Sequence, residues 1–285
     1  MHFLIGLCIS TMAVFGTAFT IRNTEINSLR SLRNTIDNRI DPVVNQMEGN
    51  TSSNKLIIST PGGLFGFYFM GISSFIKQNY ALDDYVFSGA SAGSWNSLFL
   101  SLRKEEDEAA FVKEILKTDI TNLKSIIELE KRMKSTILDS YDDDSFHLDK
   151  LYLGVSVLER SVMKLRIYDD FSGLEDALEC CIASSHIPFV TGGAFHIYRN
   201  RLSFDGGFYN YPYLNSFTPS LIIAPDIWAE DKKEGNITVI DCNIDTMLNL
   251  KKTPPDMSQL YESGYNDAMK NKAFLDGIFL QNLKN

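Results

Sequence analysis

The sequence has few of the residues that build metal sites and disulfide frameworks. Its 285 residues include four cysteines and four histidines, and two of the cysteines, Cys180 and Cys181, are adjacent. No C-x-x-C pair and no H-E-x-x-H motif occurs. Because metal sites and disulfide-stapled folds depend on such spacings, the sequence predicts neither of them.

Basic residues are outnumbered by acidic ones. The chain has 27 Lys and Arg against 36 Asp and Glu, which gives a formal net charge of -9. Because this balance repels a phosphate backbone, and no long basic run compensates for it, we expect no nucleic-acid partner. The composition, with 44% hydrophobic and 22% charged residues, is typical of a globular protein.

The amino-terminal region has no charged residue from Phe3 to Phe19, and Gly16-Thr17-Ala18 has the small-x-small form of a signal-peptidase site. We therefore predict a signal peptide or membrane anchor over residues 1–20, with a membrane or the secretory pathway as the location. A buried core helix is the alternative, and a cytoplasmic or lipid-droplet location is the alternative location. Residues 21–54 are polar and are predicted to form a linker or peripheral helix before the main domain.

Strands and helices are predicted to alternate at the start of this domain. The β-branched run over residues 55–60 predicts a buried strand, and residues 85–87 predict a second. A glycine-rich turn and an apolar helical run follow each strand, and the helices are predicted over residues 67–78 and 92–102. This alternation predicts an α/β fold, with a parallel sheet and helices on its faces.

Later segments are interpreted from the same patterns. Charged helices are expected over residues 104–138, with their charges on solvated faces. The acidic run at residues 142–144 is interpreted as a loop and helix cap before a helix over residues 147–159. The alternating run over residues 195–204 predicts a hairpin around an Arg-Asn turn. Further helices are predicted over residues 174–183 and 257–274, and further strands over residues 221–223 and 237–240.

A serine framed by small residues follows the second predicted strand, in Gly89-Ala90-Ser91-Ala92-Gly93. A G-x-S-x-G turn holds its serine on a sharp bend from strand to helix and exposes the hydroxyl group. Such a serine is a candidate covalent nucleophile if a base lies within reach. An ordinary tight turn has the same composition, so both interpretations stay open at this point.

The glycine-rich turn after the first strand, Gly62-Gly63-Leu64-Phe65-Gly66, is a candidate oxyanion site. Without Cβ atoms, consecutive N–H groups can turn towards one point, and the amino terminus of the following helix favours negative charge. A phosphate-binding loop or a plain packing turn is the alternative. A nucleotide loop has a lysine after its last glycine, whereas Phe67 follows Gly66 here.

Histidine and aspartate are the candidates for the base that would activate Ser91. The α/β-hydrolase order needs a histidine well downstream of the serine, but several predicted elements still follow the last histidine, His196. His186 ends a predicted helix and His196 alternates within the predicted hairpin, so both are interpreted as structural. The other candidate is Asp205, which two glycines follow at the end of a strand, although a strand-end turn explains the same pattern.

In this order, the three motifs resemble those of the patatin-like phospholipases. The run from Gly63 to Gly71 is similar to the G-x-x-G-x-Y-x-x-G motif of the adiponutrin-like branch, and Gly89 to Gly93 has the elbow residues of that branch. The run Ala183-Ser184-Ser185-His186-Ile187-Pro188 is similar to the family's small-residue segment ending in Ile-Pro. The resemblance covers residues 55–215.

The resemblance implies a catalytic domain over residues 55–285, built as a three-layer α/β sandwich around a mainly parallel sheet. It implies a lipid acyl hydrolase that forms an acyl-enzyme, needs no cofactor, and acts on a lipid or at a membrane or lipid-droplet surface. A histidine-dependent α/β-hydrolase and a non-catalytic lipid-binding protein are the alternatives. The implied site residues are the nucleophile Ser91 and its base Asp205, the oxyanion loop residues Gly62, Gly63, Leu64 and Gly66, and the elbow residues Gly89 and Gly93.

Overall fold

A seven-stranded sheet and the helices packed on it form the described part of the protein. The computed structural model describes residues 55–117, 126–208, 219–228 and 256–280. The strands are β1 (Lys55–Ser59), β2 (Tyr85–Gly89), β3 (Leu151–Glu159), β4 (Val162–Tyr168), β5 (His196–Tyr198), β6 (Arg201–Phe204) and β7 (Pro219–Ile223). The helices are α1 (Gly66–Asn79), α2 (Ala92–Ser101), α3 (Glu108–Leu116), α4 (Ile126–Ser140), α5 (Leu174–Ser184), α6 (Met257–Lys270) and α7 (Lys272–Phe279).

The centre of the sheet is parallel. Strand β1 lies between β2 and β7 and runs parallel to both, and β2 runs parallel to β3. Leu56, Ile57 and Ile58 of β1 are fully buried, as expected for a strand that is covered on both faces. The predicted α/β sandwich with a mainly parallel central sheet is confirmed.

Two strand ends meet beside β3. Strand β4 pairs antiparallel with β3 along its whole length on one side, so β2 and β6 share the other side. Gly89 at the carboxyl end of β2 is opposite Leu153, and Phe204 at the carboxyl end of β6 is opposite Ser156. Because β2 runs parallel to β3 and β6 runs antiparallel to it, these two carboxyl ends point at each other.

The two faces of the sheet contribute to different hydrophobic clusters. Ile57, Phe87 and Leu153 belong to a large cluster that includes the buried side chains of all seven described helices. Leu56 and Ile58, which alternate with Ile57, belong to a smaller cluster of strand and loop residues on the opposite face. The period of two along β1 therefore divides the core between the two faces.

The helix predicted over residues 147–159 is wrong, because residues 151–159 form strand β3. The apolar residues of this run are buried at consecutive positions, as in a strand covered on both faces, and they include the β-branched Val155 and Val157. Arg160 and Ser161 both have positive φ, at 46° and 67°, and turn the chain into β4. This tight hairpin commits the segment to the sheet.

Other predicted elements agree with the structure more closely. Strands β5 and β6 form the predicted hairpin, and Arg199 and Asn200 at its turn have positive φ of 45° and 60°. The carboxy-terminal helix is divided at Asn271 into α6 and α7. The strand predicted over residues 237–240 and the linker or peripheral helix predicted over residues 21–54 lie outside the described residues.

The predicted membrane-associated or secretory location has to be corrected. No helix within the described ranges is long and apolar enough to cross a membrane. The amino-terminal segment on which the prediction was based, residues 1–20, lies outside those ranges.

Helices α1 and α6 cross at two glycines, and this contact generates a stability prediction. A Cβ atom on Gly264 would lie 1.9 Å from the carbonyl oxygen of Tyr68, and one on Gly71 would lie 2.0 Å from that of Tyr261. We expect Gly264→Ala to lower the free energy of unfolding by about 3 kcal/mol, because the helices must separate. Urea denaturation measures this loss.

Gly193→Ala is the matched control, because a Cβ atom there would have no heavy atom within 4 Å. We expect its stability to stay close to that of the unchanged protein. Equal stability of the two variants would contradict the close contact between α1 and α6.

Candidate active site

Ser91 lies at a strained bend between β2 and α2. Its φ and ψ are 55° and -129°, a conformation that L residues rarely adopt. A Cβ atom on Gly89 would lie 2.2 Å from the carbonyl oxygen of Gly93, and one on Gly93 would lie 2.0 Å from that of Ser59. The small residues of the pentapeptide are therefore needed for the close approach of the first turn of α2 to the sheet.

Neighbouring serines hold the backbone of Ser91. Its N–H group donates to Oγ of Ser184 at 2.8 Å, and this hydroxyl group donates to the carbonyl oxygen of Gly154 at 2.6 Å. On the other side, Oγ of Ser94 donates to the carbonyl oxygen of Ser91 at 2.6 Å. These contacts tie the bend to the end of α5 and to β3.

Asp205 follows directly after β6 and is fixed by its backbone. Its N–H group donates to the carbonyl oxygen of His186 at 2.7 Å, and its own carbonyl oxygen accepts from Oγ of Ser156 at 2.8 Å. A Cβ atom on Gly206 would lie 2.1 Å from the carbonyl oxygen of Gly154. The turn after Asp205 therefore passes directly over β3.

The side chains of Ser91 and Asp205 meet in the gap between the two strand ends. Ser91 is 7% exposed and Asp205 is 4% exposed. Burial raises the pKa of Asp205 to about 6, although hydrogen bonds from the Ser91 hydroxyl group and from the N–H group of Gly207 offset part of the rise. The Gly207 N–H group lies 2.6 Å from Oδ1 of Asp205. A carboxylate in this state is a suitable acceptor for a serine proton near neutral pH.

The glycine-rich loop faces the same site. Gly63–Phe65 form a 3-10 turn that leads into α1, and Gly63 has a φ of 54°. Asn96 holds the backbone at this bend, because its Nδ2 group donates to the carbonyl oxygen of Gly66 at 2.9 Å. The first N–H groups of a helical run have no acceptor within it, so those of Gly63 and Leu64 are available to an anion. Gly62 precedes this turn as its amino-terminal cap.

A cavity with mainly apolar walls opens at these groups. Ser91, Asp205, Gly63, Leu64 and Gly66 line one part of it. The remaining walls come mainly from α1, α2, α3 and α4 and include Phe67, Met70, Trp95, Phe99, Phe111, Ile115, Leu129, Met133 and Ile137. The arrangement can hold an extended apolar chain with a polar group at Ser91.

One curated protein matches this chain over most of its length. The human patatin-like phospholipase domain-containing protein 4 is 25% identical over 233 residues, which are 73% of this chain and 92% of that protein. No family model matches the chain. The resemblance to the patatin-like family is confirmed.

The two histidines considered as bases do not line this cavity. His186 is buried, and burial together with the neighbouring His196 lowers its pKa to about 4. The rings of His186 and His196 lie 5.6 Å apart, and neither residue lines the cavity. His186 instead supports Asp205 through its main-chain carbonyl group. The structure therefore brings Ser91 to Asp205 and not to a histidine.

The acidic run at residues 142–144 serves the backbone. Oδ1 of Asp142 accepts from the N–H groups of Asp144 and Ser145, and Oδ1 of Asp143 accepts from the N–H group of Leu174 at 2.6 Å. The interpretation as a loop is confirmed, but the predicted helix cap is wrong, because Asp142 caps a 3-10 turn and residues 151–159 form β3. Within the described part of the chain, no three His, Cys, Asp or Glu side chains are grouped as metal ligands.

Glu130 is a cavity residue that the sequence prediction missed. It is 6% exposed and lines the cavity from α4, although the charges of this region were assigned to solvated faces. A signal was present, because Ile126, Met133 and Ile137 form an apolar stripe in which Glu130 occupies the i+4 position after Ile126. An acid within an apolar stripe is buried together with that stripe.

The support of Ser91 by Ser184 generates a second stability prediction. We expect Ser184→Ala to lower the free energy of unfolding by about 1–3 kcal/mol, because the buried N–H group of Ser91 and the carbonyl group of Gly154 each lose a partner. Urea denaturation measures the change.

Ser101→Ala is the matched control for this prediction. Ser101 is as fully buried as Ser184, but its hydroxyl group bonds only to the carbonyl oxygen of Leu98 in its own helix. We expect a smaller loss for this variant. A loss that is the same in both variants would contradict a specific supporting role for Ser184.

Proposed function

We propose that the protein is a lipid acyl hydrolase that cleaves carboxylic esters, with Ser91 as nucleophile and Asp205 as its base. The observation that carries the proposal is that the Ser91 hydroxyl group and the buried carboxyl group of Asp205 meet at one end of an apolar cavity. The similarity to a protein named as a patatin-like phospholipase domain-containing protein supports a lipid as the substrate.

The first half-reaction transfers the acyl group to the enzyme. The Ser91 oxygen attacks the ester carbonyl carbon while Asp205 accepts the Ser91 proton. The negative charge that develops on the carbonyl oxygen is met by the N–H groups of Gly63 and Leu64, and each such donor contributes about 3 kcal/mol to the stabilisation of the transition state. The alcohol leaves with the proton from Asp205, and the acyl group stays on Ser91.

The second half-reaction releases the acid. Asp205, ionised again, accepts a proton from a water molecule that attacks the acyl carbon. The bond to Ser91 breaks, and the proton returns to the Ser91 oxygen. Each step uses groups of this chain that lie at the site.

The cavity supports an ester of a long apolar acid as the substrate. Its walls beyond Ser91 are aromatic and aliphatic, with Phe99, Phe111 and Ile137 among the residues that are almost fully buried. Transfer of an acyl chain from water to such walls is favourable, by about 0.8 kcal/mol for each buried methylene group.

Covalent labelling with a fluorophosphonate probe tests this proposal. We expect the unchanged protein to react, Ser91→Ala not to react, and Asp205→Asn to react at least about 100-fold more slowly, because general-base activation of the serine is lost. The rate of adduct formation is measured by intact-protein mass spectrometry.

Asp169→Asn is the control, since Asp169 is also an acid with a raised pKa but does not line the cavity. It should label like the unchanged protein. Labelling of Ser91→Ala would exclude the mechanism. Full reactivity of Asp205→Asn combined with loss of labelling in His186→Gln or His196→Gln would favour the histidine-dependent alternative, and lipid binding without labelling would favour the non-catalytic one.

The pH dependence of hydrolysis follows from the raised pKa of Asp205. Because the base acts only when ionised, we expect kcat/KM for a soluble ester to fall as the pH drops through about 6 and to be restored above it. Initial rates between pH 4.5 and pH 7.5 check this. A rate that is independent of pH across that interval would contradict Asp205 as the base.

A further inference from the structure

Glu130 places a second carboxyl group in the wall of the cavity. It lies on α4 in the apolar stripe that faces the cavity, between Ile126 and Met133. Its carboxyl group lies beside Trp95 and Ser185. Ser185 directly follows Ser184, whose hydroxyl group accepts from the N–H group of Ser91. The second carboxyl group is therefore close to the reacting end of the cavity.

Among the described residues of the cavity wall, no cation balances this carboxyl group. No Lys, Arg or His is among the described residues that line the cavity. Lys134, one turn further along α4, is paired with Glu175 and Glu179 of α5. In the described part of the chain, the ionisable groups that face Glu130 from other elements are Asp205 and the Cys181 thiol, and neither can be a cation.

The carboxyl group of Glu130 is therefore neutral at neutral pH. Burial raises its pKa to about 8, and Asp205 adds to the rise, while Ser185 and Trp95 offset part of it. A neutral carboxyl group has an O–H donor, which a carboxylate lacks. At the same pH the two acids of the cavity thus hold different protonation states, with Asp205 as an acceptor and Glu130 as a donor.

The position of Glu130 along α4 indicates which part of a substrate it meets. Beyond it, Met133 and Ile137 face the apolar end of the cavity with Phe111 and Ile115. Before it, α4 begins next to the loop over residues 187–195. There the N–H group of Ile127 donates to the carbonyl oxygen of Thr191, and Phe189 and Phe195 are exposed. An acyl chain fits the apolar end, so the alcohol part lies towards Glu130.

We propose that Glu130 is a specificity-determining residue whose neutral carboxyl group donates a hydrogen bond to an uncharged oxygen on the alcohol part of the ester. The inference rests on the proposed function, because it places the substrate relative to Ser91. It assigns to the site a preference for esters of alcohols that carry a free hydroxyl group. Ionisation of Glu130 removes the donor, so the preference is lost at alkaline pH.

The test compares two esters of the same fatty acid, its glycerol monoester and its methyl ester, which has no hydroxyl group. We expect Glu130→Leu to lower kcat/KM for the glycerol ester by about tenfold more than for the methyl ester, the equivalent of one hydrogen bond. Glu130→Gln keeps a neutral donor of similar shape. It should retain the preference and keep it above pH 8, where the unchanged protein loses it.

The matched control is Glu128→Gln. Glu128 lies on the same helix and pairs with Arg132 at the surface. Both preference and pH dependence should stay as they are. Equal losses on the two esters in Glu130→Leu, or loss of the preference above pH 8 in Glu130→Gln, would overturn the inference. Methyl-ester hydrolysis and fluorophosphonate labelling test Ser91 and Asp205 without the proposed hydrogen bond from Glu130. If the proposed function fails, the unchanged protein shows neither of these reactions.

Discussion

The candidate site depends on one contact, between the hydroxyl group of Ser91 and the carboxyl group of Asp205. The two residues are 114 positions apart in the sequence, and they meet because β2 and β6 end opposite each other on the same side of β3. The glycines at 89, 93 and 206 allow the backbone to approach within distances that a Cβ atom would prevent. Burial of the contact then raises the pKa of the carboxyl group into the range in which it can act as a base.

The segment at the end of α5 connects both halves of this contact. Ser184 accepts from the N–H group of Ser91, and two residues later the carbonyl group of His186 accepts from the N–H group of Asp205. Ser185, between them, lies beside Glu130. A run of small residues is suited to this position because three elements pass close to it, and the buried histidine contributes through its backbone.

The sequence allowed most of the sheet centre to be predicted, because short β-branched runs followed by glycine-rich turns and apolar helices have local signals. It also brought Ser91, Asp205 and the glycine-rich loop into one hypothesis. Strand β3 was mispredicted because its residues are buried on both faces and show no period of two, so a helix and a strand could not be distinguished. Glu130 was missed because a charge on a helix is usually solvated, and its place within the apolar stripe of α4 was the one sequence signal that this charge is buried.

The most direct test of the Ser91–Asp205 arrangement is a crystal structure of the protein after reaction with a phosphonate ester. The account predicts a covalent bond between phosphorus and Oγ of Ser91, a phosphoryl oxygen within hydrogen-bond distance of the N–H groups of Gly63 and Leu64, and the carboxylate of Asp205 next to Oγ. Phosphorus bonded to another residue, or a phosphoryl oxygen directed away from the glycine-rich loop, would contradict it.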